Sequence, residues 1–197
     1  MKNVRRTANR SLAFLGGLGL SLFVLHACVG NPDDSKEIAE EQNEEKLDDR
    51  KSEKDADFLV EAAAINLEEI KLGELAQQKA TMDDTKALGK MMVKEHTAVL
   101  NELKTLAANK SITIPAVLTE DGQDAWDDLN EEKGLDFDKE YASKMVQGHK
   151  KAIRKFENAS SNAEDGDIRN WASSQLPGLR THLEHSEAVK EKAKEMK

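Results

Sequence analysis

From residue 58 onward apolar side chains return at three- and four-residue steps, the spacing of one helix face. Four such stripes follow one another. The first, over 56–80, carries Phe58, Ala62, Ile65, Glu69, Leu72 and Ala76. The second runs to about residue 109 and carries Thr85, Gly89, Met92, His96, Val99, Leu103 and Leu106. The third, over 136–159, carries Ala142, Met145, His149, Ala152 and Phe156. The fourth, from 167 to the C-terminal end, carries Ile168, Ala172, Gln175, Leu179, His182, Ser186 and Val189. Thr81-Met82-Asp83-Asp84 separates the first two helices, with Asp83 or Asp84 expected as N-cap. Residues 160–166 form a polar turn between the last two. Pro177 lacks an N–H donor, so a kink or a loosened turn is expected in the fourth helix.

The connections after the first and third helices are short, which makes each pair an antiparallel hairpin. The middle connection, 109–134, holds Ile112-Thr113-Ile114-Pro115 and a short helical pattern around Trp126 and Leu129. It is long enough to cross the bundle. No alternating run of strand length competes. The expected fold is all-α: a ferritin-like antiparallel four-helix bundle over 56–197, with a long crossover between helices two and three.

Upstream the pattern lapses. Residues 29–55 are rich in Asp, Glu and Lys, with Ile38 and Leu47 nearly alone as large apolar side chains. Such a segment cannot bury a core, so 28–55 reads as a disordered charged tether. Before it, Lys2, Arg5, Arg6 and Arg10 precede an uncharged apolar stretch from Leu12 to Leu25. That order and length describe an export signal over 1–27, too short to span a bilayer comfortably. Leu25-His26-Ala27-Cys28 resembles a bacterial lipobox, with Cys28 the lipidated first residue of the mature chain. Cys28 is the single cysteine, so no intrachain disulfide competes for it. The full chain carries a net charge of -9, and losing the signal removes four basic residues and no acidic ones. The remaining 25 basic and 38 acidic residues give -13. A nucleic-acid partner is excluded on that balance, and the membrane is reached through the anchor rather than through the domain surface.

Each stripe is interrupted once by a side chain able to hold a metal: Glu69, His96, His149 and His182. Each lies about twelve to fifteen residues into its helix. Midpoints of antiparallel helices share a level, so the four are expected in one buried layer. Three imidazoles and a carboxylate suit a single divalent transition metal, Zn, Mn, Fe or Cu. A metal-free network, with Glu69 accepting from imidazole N–H groups, satisfies the same atoms. Glu95 and His185 are expected behind the ligands, Glu95 to hold an imidazole tautomer. Residues three before His96, His149 and His182 are Val93, Val146 and Leu179, so the Glu-x-x-His pattern of di-iron carboxylate bundles is missing. No phosphate loop, dinucleotide fingerprint, nucleophile elbow or Cys-x-x-Cys is present, and no catalytic residue is assigned.

Several short runs carry a family resemblance over about 57–189. They are Glu69-Ile70-Lys71-Leu72-Gly73-Glu74-Leu75-Ala76, Met92-Val93-Lys94-Glu95-His96, Phe137-Asp138-Lys139-Glu140-Tyr141 followed by Met145-Val146-Gln147-Gly148-His149, and Leu176-Pro177-Gly178-Leu179 followed by His182-Leu183. With these the chain resembles domain-of-unknown-function family 4142, bacterial envelope proteins with a ferritin-like four-helix bundle. That family commonly shows Asp where this chain has Glu95. The resemblance implies the fold and a periplasmic or outer-membrane setting, and no reaction.

Two functions are compatible with this sequence. One is an envelope lipoprotein, on the outer membrane with its domain periplasmic or surface-exposed, whose bundle binds a metal for metal handling or stress defence. The other is a non-catalytic structural or interaction module whose polar layer fixes helix register. For the anchor, Cys28→Ser is expected to release the folded domain from membranes. Mass spectrometry finding Cys28 unmodified would refute that expectation.

Overall fold

The computed structural model describes residues 34–47 and 50–196. The export signal and Cys28 lie outside the described residues. The helices are α1 (Ser35–Glu44), α2 (Arg50–Lys79), α3 (Asp83–Asn109), α4 (Glu120–Glu131), α5 (Gly134–Asn162) and α6 (Gly166–Glu195). Among the described residues there is no strand. No helix among them is long and apolar enough to cross a membrane.

The direction of each helix follows from contacts at the two ends. At one end Asp55, near the start of α2, accepts hydrogen bonds from the backbone N–H groups of Glu164 (3.0 Å) and Asp165 (2.7 Å) in the α5–α6 turn. There too Lys110, just past α3, pairs with Asp165 and Asp167, each at 2.6 Å. At the other end Asp138, early in α5, accepts from the N–H of Met82 at 3.2 Å and from the N–H and hydroxyl of Thr81. Lys192 of α6 reaches Asp84 of α3 at that same end, 2.8 Å away. Helices α2 and α6 therefore run one way and α3 and α5 the other. The parallel pair α3 and α5 requires a connection along the whole bundle. Residues 110–133 supply it, with α4 laid against α2. The architecture is a four-helix bundle with a long crossover between its second and third long helices.

The buried faces explain why these segments pair. Helix α5 buries Phe137, Tyr141, Ala142, Met145, His149, Ala152 and Phe156, and α6 buries Ile168, Ala172, Leu176, Leu179, His182 and Val189. The large side chains alternate with alanine, which lets the helices interdigitate. Between α2 and α3 the fit is closest where two glycines meet. A Cβ on Gly89 would lie 2.8 Å from the Gly73 carbonyl oxygen, and a Cβ on Gly73 would lie 2.8 Å from that of Gly89. Backbone stands on backbone there, so no side chain is available to yield.

Three features differ from the sequence expectations. Residues 35–44 are a helix docked on the bundle, not a solvated tether. Asn43 is buried and donates to the Thr113 carbonyl (2.8 Å) while its Oδ1 accepts from the Thr113 N–H (2.7 Å). One Asp34 oxygen accepts from the N–H of Lys36 and from that of Glu120, so it caps α1 and holds the start of α4. Polar clamps of this kind need little apolar surface, which is why hydropathy misses them. Second, the N-cap of α3 is Met82 and makes no side-chain cap bond. Asp138 serves its turn from another helix, and Asp83 and Asp84 lie in the first turn. Third, Leu59 and Asn66 face inward where Phe58 and Ile65 were expected, and Leu100 and Ala107 replace Val99 and Leu106. Helix α6 contains Pro177, whose missing N–H loosens one turn. Pro177 and Ser173 both sit on the exposed face, so the Ser173 carbonyl deprived of a donor faces water.

The glycine contact gives a test of the packing. Gly89→Ala is expected to destabilise by roughly 1–3 kcal/mol through overpacking, against the usual gain from removing a helical glycine. Gly178→Ala, whose Cβ would meet nothing within 4 Å, is expected to stabilise by about 0.5–1 kcal/mol. Thermal unfolding followed by helical circular dichroism compares the two. Equal effects would overturn the close-approach argument.

Candidate metal centre

The core is divided. One apolar cluster gathers Leu59, Leu103, Phe156, Ile168 and Leu179 at the end near the α5–α6 turn. A second gathers Leu72, Met92, Phe137, Tyr141 and Met145 toward the other. Between them α2 places Asn66 and Glu69, α3 places His96, α5 places His149 and α6 places His182, all buried. The ring centroids of the three histidines are 5.1–5.6 Å apart. One ring nitrogen from each lies within 4.8 Å of those of the other two.

Hydrogen bonds decide which nitrogens face inward and what they carry. His149 Nδ1 lies 2.8 Å from the Met145 carbonyl oxygen, which only accepts. His149 therefore carries its proton on Nδ1 and leaves a lone pair on Nε2. His182 Nε2 lies 2.7 Å from a Glu95 carboxylate oxygen, so His182 donates from Nε2 and leaves a lone pair on Nδ1. Asn66 Nδ2 donates to the Ala62 carbonyl at 2.7 Å, which turns Asn66 Oδ1 to His96 Nδ1 at 2.9 Å. His96 thus donates from Nδ1, and its buried Nε2 has no hydrogen-bond partner in the protein. His149 Nε2 and His182 Nδ1 face each other at 3.2 Å with no proton between them in these tautomers. Two lone pairs share one small space, His96 brings a third unpartnered nitrogen to the same cluster, and each opposite N–H is anchored to an acceptor.

That is the arrangement of metal-ligating imidazoles, whose second nitrogen donates to a carboxylate or a carbonyl. The distances agree. Nitrogens at about 2.0–2.1 Å from a tetrahedral ion lie about 3.3 Å apart, close to the 3.2 Å between His149 and His182. The 4.8 Å bound on the group asks at most about 1.5 Å of further approach from the third ring.

Electrostatics favour the neutral form of His96 and His149. Burial pushes the His96 pKa well below its usual value, reinforced by the neighbouring His149 and His182. Burial likewise lowers His149, from 6.5 to about 4. Neutral imidazole is the form a metal needs.

Glu69 does not join the three nitrogens. Its Oε1 lies 3.6 Å from His149 Nδ1, the nitrogen on the far side of the ring from His182. Its Oε2 is buried without a protein partner. Burial, and then the nearby Glu68 charge, raises the Glu69 pKa well above the usual carboxyl value. The raised Glu69 pKa and the lowered His149 pKa both oppose an ion pair between them. The physical reason is register: α2 turns Asn66 to the N–H side of His96 and Glu69 to the N–H side of His149, so neither reaches the unpartnered nitrogens. Gly148 gives Glu69 its room, since a Cβ there would lie 3.1 Å from Glu69 Oε1. Glu95 contacts His182 across the bundle rather than its sequence neighbour His96. His185 is exposed, beside Asp84 and Lys192, and stands outside the layer. Two supports escaped the sequence reading. Asn66 is a polar residue four positions after Ala62, a detectable signal; the Met145 carbonyl belongs to the backbone and carries none.

Fold and layer define the class first: a four-helix bundle with a buried three-histidine cluster in its middle. A domain family of unknown function, DUF4142, matches residues 40–189, and the chain belongs to that family. Among solved structures it is similar to "CopM in the Cu(II)-bound form", with 18% identity and a TM-score of 0.59, over 70% of this chain and 96% of that one. At that identity the likeness shows a shared fold. No curated protein matches the chain.

Two outcomes test these charge states in the metal-free protein. Glu69→Gln, a neutral isostere, is expected to raise the melting temperature near pH 8. The gain should shrink as pH falls toward the usual carboxyl range, where the unfolded chain binds that proton as well. A melting temperature lowered by Glu69→Gln across the range would mean the carboxylate is ionised and paired. For His149 the unfolded chain binds the proton more tightly than the folded one, so its contribution to stability is present above pH 6.5 and lost as pH falls through about 4. His149→Gln should flatten the acid limb of a melting-temperature profile over that window.

Proposed function

We propose that this protein is a lipid-anchored envelope protein whose bundle binds one divalent transition-metal ion through His96 Nε2, His149 Nε2 and His182 Nδ1. The observation that carries the reading is the convergence of three acceptor nitrogens whose other nitrogens are all committed as donors. A proton could bridge only one pair of them, and the lowered histidine pKa values oppose that at neutral pH. An ion satisfies all three together. Asn66, the Met145 carbonyl and Glu95 orient the rings. The Cu(II) bound by CopM is consistent with a metal in such a fold, although that likeness extends to the fold alone. The role is metal handling or defence against metal and oxidative stress, with Cys28 as the membrane attachment.

The donor set narrows the ion. Three imidazoles suit Zn, Cu, Fe or Mn and do not suit Mg or Ca, which prefer oxygen. A bound ion also stabilises by mass action, by about 2.7 kcal/mol at a free concentration one hundred times Kd.

The test is elemental analysis of the purified chain after separate reconstitution with Zn, Mn, Fe and Cu salts and desalting. One ion per chain is expected, with a rise in melting temperature. His149→Ala is expected to abolish both while circular dichroism keeps its helical signal. Retention of none of the four ions by the wild type would sink the reading.

A further inference from the structure

The three histidines are closed off from solvent. His96, His149 and His182 are 2%, 1% and 3% exposed, so an ion reaches their nitrogens only when a ring moves. Two of the rings are held from inside the core. The Met145 carbonyl, on the same helix, fixes His149, and buried Asn66 fixes His96. His182 differs. Its bond at 2.7 Å ends on Glu95, whose side chain is 43% exposed. The helix that carries His182 is also loosened one turn upstream. Pro177 gives no N–H to the Ser173 carbonyl. Beside it stands Gly178, where a Cβ would meet nothing within 4 Å. A glycine that no close contact requires adds backbone freedom that alanine would remove. Room for movement is present as well. A cavity of about 250 Å³ is lined by Glu95, Gly178, Leu179 and His182 among others. Helix α6 packs much more closely on α5 than on α3, so the α3–α6 seam is the one free to open.

We infer that His182 is the gate of the metal centre: its ring swings out along the α3–α6 seam, meets the incoming ion with Glu95 as the first ligand, and carries it inward to His96 and His149. The inference rests on the metal reading above and concerns how the ion enters, not what holds it. An ion that settles on the Glu95 carboxyl oxygen takes the place of the His182 N–H there, which frees the ring to turn. His182 then meets the ion with Nδ1, the nitrogen that carries no proton, so no proton has to leave. Carboxylate and imidazole are both ordinary ligands of such ions. Charge decides between this route and its rival. The rival approach is beside Glu69, over Gly148, where a Cβ would lie 3.1 Å from Glu69 Oε1. The groove outside Gly148 is lined by Lys144, Lys150, Lys151 and Arg154, with Glu68 as its one acid. Four cations oppose the approach of a dication there. Among the described residues that line the cavity at His182 there is no Lys or Arg, and Glu95 attracts the ion.

The experiment follows Co(II) uptake by the full chain in a stopped-flow spectrometer, and its release to excess EDTA. Helical signal and final metal content are measured for every variant. Pro177→Ala combined with Gly178→Ala restores the missing N–H and removes the glycine freedom without touching a ligand. It is expected to slow uptake and release alike, each at least fivefold, while Kd stays within about twofold. A merely structural role of this turn would move Kd or the melting temperature and leave the two rates unlinked. Glu95→Gln keeps an acceptor for His182 and removes the charge, and is expected to slow uptake at least fivefold. Gly148→Ala narrows the rival route and is expected to leave uptake within about twofold. Unchanged rates in the α6 double variant, or slowing by Gly148→Ala alone, overturn the gate while the metal site stands. Uptake by Glu95→Gln as fast as by the wild type overturns the step through Glu95. Failure of the wild type to take up Co(II) at all overturns the metal site and the gate with it.

Discussion

Three imidazole lone pairs turned toward one another inside an apolar core repel, and no side chain of the bundle stands ready to satisfy all three. Everything else in the middle of the molecule is arranged around that constraint. The conflict would vanish if any ring flipped its tautomer, and each is prevented from doing so. The Met145 carbonyl and the Glu95 carboxylate only accept, and Asn66 is held in orientation by Ala62. The polar layer is therefore not a closed hydrogen-bond network, and its unmatched nitrogens are what the proposed ion would satisfy. A closed network is what a purely structural layer would be expected to reach, since an unpaired buried polar group costs about 1–3 kcal/mol.

Preorganisation needs rigid helices in fixed register, and the ends of the bundle provide it. Asp55 and Asp138 are buried carboxylates that receive backbone N–H groups of turns from other parts of the chain. Each pins one helix against the opposite hairpin. With Gly73 against Gly89, α2 cannot slide along α3 without a clash. Slippage of one residue would rise 1.5 Å along the axis and swing the side chain by about a quarter turn. Either motion would separate the ring nitrogens. The α1 helix and the crossover then cover α2 through Asn43, Thr113 and Asp34, adding polar contacts far from the layer.

The four long helices were readable because their apolar residues recur with helical period and short polar turns divide them. The histidines were readable for a related reason: each replaces an apolar residue in a stripe, at matched depth. Glu69 shows where such reading stops. Two neighbouring faces of α2 are both apolar, one with Leu59 and Ala63, the other with Phe58 and Ile65. Which face wins depends on the partner helices, so Asn66 came to the back of His96 and Glu69 went behind His149. The clamps of α1 were unreadable for a different cause. They are hydrogen bonds between residues about 70 positions apart, and neither periodicity nor composition encodes such a pair.

The placement of charge distinguishes this layer from the carboxylate-rich sites of other bundles. Its inward groups are imidazole nitrogens, and burial raises the pKa of the nearest buried acid, Glu69, well above the usual carboxyl value. The other carboxyl group in contact with the layer, Glu95, is 43% exposed in its side chain and touches the back of His182. A dication placed among these rings keeps most of its charge, partly offset by Glu95 through a polarised imidazole. Such an ion remains a strong Lewis acid, whereas one surrounded by carboxylates is largely neutralised. It also stays exchangeable, because no buried counter-charge holds it.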